Sequence, residues 1–170
     1  MEDDNFIVSK SLAKTKKNLN CEILNISRKK INSQVNFLDY QKLKKLDCSQ
    51  NKIESLDNVL PKTLLDLNCS NNKLTKLDDL PPQLRILACN YNMIKSLDNL
   101  PGGIFKLDCA FNELINLDNL PNGLEYLFCN NNYIQSLNCL PMCLKYLYCQ
   151  NNDKNIELKN LPRLEKIISK

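Results

Sequence analysis

Apolar side chains occur along this chain in a fixed rhythm rather than in long runs. Leu46, Leu67, Leu87, Leu107, Leu127 and Leu147 are each followed two places later by a cysteine, at Cys48, Cys69, Cys89, Cys109, Cys129 and Cys149. The steps between these cysteines are 21, 20, 20, 20 and 20 residues. A third apolar column runs through Ile53, Leu74, Ile94, Leu114 and Ile134. Side chains two residues apart lie on one face of a strand, and the residue between them faces the other way. The pattern therefore predicts one short strand per repeat, with Leu and Cys turned inward and residues such as Asp47 turned outward. Each strand pairs in parallel with the next at ~4.8 Å, so equivalent side chains form columns. No single unit buries its apolar face alone, and stability comes from contacts between neighbours.

Polar positions keep the same step. Asn51, Asn72, Asn92, Asn112, Asn132 and Asn152 follow the cysteines by three places. A side-chain amide at such a corner can satisfy the backbone groups of the turn. Pro61, Pro81, Pro101, Pro121 and Pro141 each follow a leucine near the end of the unit. Leu-Pro favours an extended return path and disfavours long helices on the outer side. A shallow curved solenoid follows, with an inner strand face and a thin outer face.

Six units begin at Leu43, Leu64, Leu84, Ile104, Leu124 and Leu144, and share the template L-x-x-L-x-C-x-x-N-x-[LI]-x-x-L-x-x-L-P-x-x. This template resembles the leucine-rich repeat, with Cys in place of its third Leu. The 20-residue length and Leu-Pro ending resemble the short subclass of secreted bacterial effectors, and the Asn- and Lys-rich makeup resembles repeat proteins of protists and large DNA viruses. The resemblance implies an α/β-type solenoid: a leucine-rich-repeat horseshoe of short parallel β-strands, with an extended or 3-10 convex side and little helix. Effectors of this kind carry a separate ubiquitin-ligase domain after their repeats. No such domain occurs in these 170 residues, so its activity is not carried over.

The expected organisation is an N-terminal cap with a degenerate first repeat over 1–42, six repeats over 43–163, and a C-terminal half-repeat over 164–170. Leu24 and Ile26 lie 22 residues ahead of Leu46 and Cys48 and mark the degenerate repeat, with Lys29 where the Asn would stand. Residues 1–20 have two readings, a short capping helix or an unstructured tail. Lys166 and Lys170 are placed to blunt the exposed strand edge against self-association. The alternative is that this edge joins two copies in a weak homo-oligomer.

Composition removes several chemistries. The chain has no His, so Ser-His-Asp and Cys-His arrangements cannot be built. Only three glycines occur, too few for a Gly-rich phosphate loop. The six cysteines are spaced one per repeat, unlike the clustered pairs of zinc sites, and read as small core residues. Cys139 and Cys143 fall outside the template and form a weak metal signal. The column Asp57, Asp78, Asp98 and Asp118 precedes Leu-Pro and reads as bonding the turn backbone. No enzyme activity, metal or cofactor is expected. A net charge of +4, with 23 basic and 19 acidic residues interleaved, is mild for a nucleic-acid or membrane-surface protein. No apolar run approaches the ~18 residues of a membrane span. The acidic Met1-Glu2-Asp3-Asp4 start does not match a secretory signal. The expected compartment is the cytosol, or a host's cytosol for a pathogen protein.

Aromatics carry what remains. Tyr91, Phe105, Phe111, Tyr126, Phe128, Tyr133, Tyr146 and Tyr148 occupy variable positions in the later repeats. Tyr126, Phe128, Tyr146 and Tyr148 flank the core leucines of adjacent strands and should project together from the inner face. Lys45, Asp47, Asp66 and Asn68 stand at the same places in the first two repeats. The face thus changes from charged to aromatic along the solenoid. One reading is a protein-binding hot spot anchored by these four, flanked by Tyr91 and Phe111, with Lys45, Asp47 and Asp66 tuning orientation. The other is a set of cross-strand ladders that stiffen the sheet. The sequence favours recognition of a protein partner, not of nucleic acid or a membrane; the alternative is a structural repeat protein that associates with itself and has no separate partner.

Overall fold

In a computed structural model, the described residues are 19–32, 35–154, 156 and 161–169. Eight three-residue strands form one parallel sheet in sequence order: β1 Ile23–Asn25, β2 Lys45–Asp47, β3 Asp66–Asn68, β4 Ile86–Ala88, β5 Lys106–Asp108, β6 Tyr126–Phe128, β7 Tyr146–Tyr148 and β8 Lys166–Ile168. Each central residue pairs with the next, from Leu24 and Leu46 through to Leu147 and Ile167. The chain coils once per repeat into a leucine-rich-repeat solenoid, and no helix of any kind occurs among the described residues. The convex side is extended backbone and turns. The expectations for residues 1–18 and for Lys170 lie outside the described residues.

The interior is built from the columns of the template. Leu46, Leu67, Leu107, Leu127 and Leu147 are fully buried, and so are Cys48, Cys69, Cys89, Cys109 and Cys129. Burial pushes these thiols up, Cys69 to about 12, so they are inert packing groups. The asparagine column holds the corners. Asn112 donates through Nδ2 to the carbonyls of Cys89 and Cys109 (both 3.1 Å), and its Oδ1 accepts from the Ile94 amide (3.0 Å). The same bonds recur at Asn72, Asn92 and Asn132, stitching each coil to the one before it. In this way the turn keeps its buried carbonyls satisfied without a helix.

At the N-terminal end, Phe37 and Tyr40 are buried. The Tyr40 carbonyl accepts from Leu43 as that of Pro61 accepts from Leu64 (3.0 and 3.2 Å), so Tyr40 takes a template proline's place. The outer aspartates bond differently from the sequence expectation. Asp78 and Asp98 accept from the side chains of Asn99 (3.1 Å) and Asn119 (2.9 Å) one repeat on, not from turn backbone. The coil spacing brings these polar side chains within reach of each other across the exposed convex side.

Candidate functional site

Every strand has the form x-Leu-x or x-Ile-x, and the flanking residues are the ones left on the concave face. Because pairing is in register, these residues form two continuous columns. Lys45, Asp66, Ile86, Lys106, Tyr126 and Tyr146 make one. Asp47, Asn68, Ala88, Asp108, Phe128 and Tyr148 make the other.

The C-terminal end of the face is aromatic. Tyr126 stacks on Tyr146 with centroids 4.7 Å apart and rings 2° from parallel, and Phe128 stacks on Tyr148 at 4.6 Å and 19°. All four are partly exposed. The strand spacing itself sets this distance, since rings on adjacent parallel strands are held one strand apart. Beyond them, the Tyr146 hydroxyl donates to Glu165, which raises the phenol's pKa. Lys166 holds its ammonium 5.5 Å from the centre of the Tyr148 ring. Lys166 lies over the end of the Phe128–Tyr148 stack, a cation–π contact.

The N-terminal end is polar. Lys45 and Asp66 form an ion pair at 2.7 Å, and this bond raises the lysine pKa. Asp47 accepts from both the amide (3.0 Å) and the hydroxyl (2.6 Å) of Ser49. An open trough runs from this polar end to β6, lined among others by Lys45, Asp66, Ile86, Ala88, Lys106, Asp108 and Phe128. Among the described residues Asp108 accepts from the Ala110 amide alone, at 3.2 Å. Its partial burial raises its pKa, with the Ala110 amide and then Lys106 opposing the shift.

Tyr91 and Phe111 sit elsewhere. They stack on each other at 4.1 Å and 11°, but on the corner that follows β4 and β5, not on the strands. Both have left-handed backbone, with φ of 55° and 54°, in a column whose other members are Arg28, Gln50, Asn71, Asn131 and Asn151. A bulky ring in this conformation is disfavoured where Asn is tolerated. The six aromatics of the sequence prediction thus separate into two concave stacks and one corner stack. Glu165, Lys166 and Asp108 were not among the predicted anchors. The 20-residue step places Glu165 and Lys166 opposite Lys145 and Tyr146, a register signal present in the sequence.

No protein-family model matches the sequence, and none of the curated proteins does. Solved structures do. The chain is similar to the functional domain of InlJ from Listeria monocytogenes, which includes a cysteine ladder: 32% identity and a TM-score of 0.76 over 89% of this chain and 35% of that one. It is similar to YopM from Yersinia enterocolitica, at 32% identity and a TM-score of 0.59 over 76% of this chain and 33% of that one. A Shigella effector leucine-rich-repeat domain matches at 27% identity and a TM-score of 0.76, over 86% of this chain and 67% of that one. The chain spans about a third of the InlJ and YopM structures it matches. Its repeat, its eight-stranded parallel solenoid and these likenesses agree: it is a leucine-rich-repeat protein that resembles the repeat domains of bacterial effectors.

Proposed function

We propose that the chain is a non-catalytic protein-recognition module whose concave face carries the contact surface. Leucine-rich-repeat neighbours fit an interaction module. The observation that carries the reading is the change along one uniform backbone, from a Lys45–Asp66 ion pair at β2–β3 to two half-exposed ring stacks at β6–β7. Large, rigid, partly polar rings lose little entropy on binding and are the composition of binding hot spots. Tyr126, Phe128, Tyr146 and Tyr148 are the anchors, and the Tyr91–Phe111 stack is a separate contact at the corner. If the chain acts as an effector, the partner is a host protein met in the host cytosol.

The test is affinity capture from a eukaryotic cell lysate with mass spectrometry. Wild type is compared with a Tyr126, Phe128, Tyr146, Tyr148→Ser variant shown to be folded by circular dichroism. A protein held by wild type and lost by the variant supports the reading. Equal capture by both leaves the rings as sheet packing and overturns it.

A further inference from the structure

We propose that the trough between β4 and β6 is a recognition site for a basic side chain of the partner, an arginine seated between Phe128 and Asp108. The inference rests on the concave-face reading and names the chemistry at its centre.

Three observations converge on this place. First, the Phe128–Tyr148 stack has two ends, and among the described residues only one is filled from within the chain. Lys166 lies over Tyr148 at one end. At the other end, the neighbour of Phe128 in register is Asp108, followed by the small Ala88. The face of Phe128 away from Tyr148 is therefore turned toward the carboxylate of Asp108 on the adjacent strand, and the side chain beyond that is the small Ala88. A planar guanidinium can lie on such a ring and reach the carboxylate at its edge, completing on the open side the cation–π contact that Lys166 makes on the other.

Second, Asp108 lacks a donor that its counterpart has. Asp47 is held by both the amide and the hydroxyl of Ser49. At Asp108 the matching residue is Ala110, which supplies the amide alone. A half-buried carboxylate with one bond retains free acceptor capacity, and a charged donor fills it best. Third, the charge of the trough runs against that of the chain. Over its full lining, which runs back past β4 to Asp66 on β3 and to Lys45 and Asp47 on β2, two lysines face three aspartates, in a chain whose net charge is +4. Lys45 is already paired with Asp66, which leaves Lys106 as the one lysine of the described lining that acts on Asp108. Stronger cation binding without Lys106 follows from the same electrostatics.

The probe is N-acetyl-arginine methylamide, titrated into the full 170-residue chain under reducing conditions and followed by two-dimensional amide NMR. N-acetyl-citrulline methylamide, which has the same shape without the charge, is the control. Saturable shifts centred on residues 88, 108 and 128 are expected with the arginine compound and not with the citrulline one. Asp108→Asn should weaken binding about tenfold or more. This variant keeps the turn, because Asn68 already accepts from the Ser70 amide at the same position one strand earlier than Ala88. Lys106→Gln should tighten binding about two- to threefold. Absent shifts, equal shifts from citrulline, or undiminished binding by Asp108→Asn each overturn the inference. None of these outcomes touches the lysate comparison with the four-ring variant, so the two readings fail separately.

Discussion

The two ends of the concave face have the same backbone and opposite chemistry. At β2–β3 and at β6–β7 the strands are three residues long, parallel and in the same register. Beneath each, a leucine and a cysteine are fully buried, and an asparagine ties the corner to the previous coil with matching bonds. Above them, one end carries an ion pair and polar side chains and the other two ring stacks. The fold thus constrains the inward positions strictly and the outward ones hardly at all. Outward identity is free to be selected for binding, which is why the departures from the repeat carry the functional signal.

The comparison is tested most severely by the thiols, which run through both ends. Their folded pKa values stand above the ordinary value of 9.0 because burial disfavours the thiolate. The unfolded chain therefore releases these protons near 9 while the folded chain keeps them. The stability they contribute is full below that pH and is lost as pH rises toward the folded values, about 12 for Cys69. Each thiol steepens the fall by up to about 1.4 kcal/mol per pH unit. Urea unfolding with reductant at successive pH values from 7 upward should show a collapse of several kcal/mol between about 9 and 11. Cys48→Ala and Cys129→Ala should flatten it by similar amounts. A slope unchanged by either would mean that the column is not sealed from water.

Next in size is the asparagine column. Asn72 and Asn132 each bond two carbonyls across neighbouring coils and accept one amide. Asn72→Ala and Asn132→Ala should each cost about 3 kcal/mol, because each strands several buried backbone groups. Costs differing by more than about 1 kcal/mol would break the claim of one shared scaffold.

The smallest effects separate the faces. A double-mutant cycle on Phe128 and Tyr148 should give a coupling of about 1 kcal/mol that salt leaves unchanged. The same cycle on Lys45 and Asp66 should give at most about 0.5 kcal/mol, vanishing near ~1 M salt. Equal couplings with equal salt dependence would mean that the two ends do not differ in kind.

Most of the fold was legible because the period translates directly into register. In a parallel stack with one strand per repeat, residues 20 apart are neighbours, so the Leu, Cys and Asn columns and the adjacency of Tyr126 with Tyr146 follow from counting. The degenerate stretch at Leu24 was legible by the same count and forms β1. Less legible were positions where the period is silent. Tyr40 stands in a template proline's place, and only the packed end of the solenoid shows it and Phe37 buried.

The sequence alone determined the solenoid, the identity of its buried columns and the passage from charged to aromatic on its face. It did so because a strict repeat leaves a single way to bury every leucine at once. Tertiary structure alone decided that Tyr91 and Phe111 leave the strand face for a left-handed corner, where the sign of φ, not the spacing, directs the side chain. It alone placed the Lys166 ammonium over the Tyr148 ring, diagonal to its register partner Tyr146. That placement depends on the direction the side chain takes, which a period of 20 residues does not write.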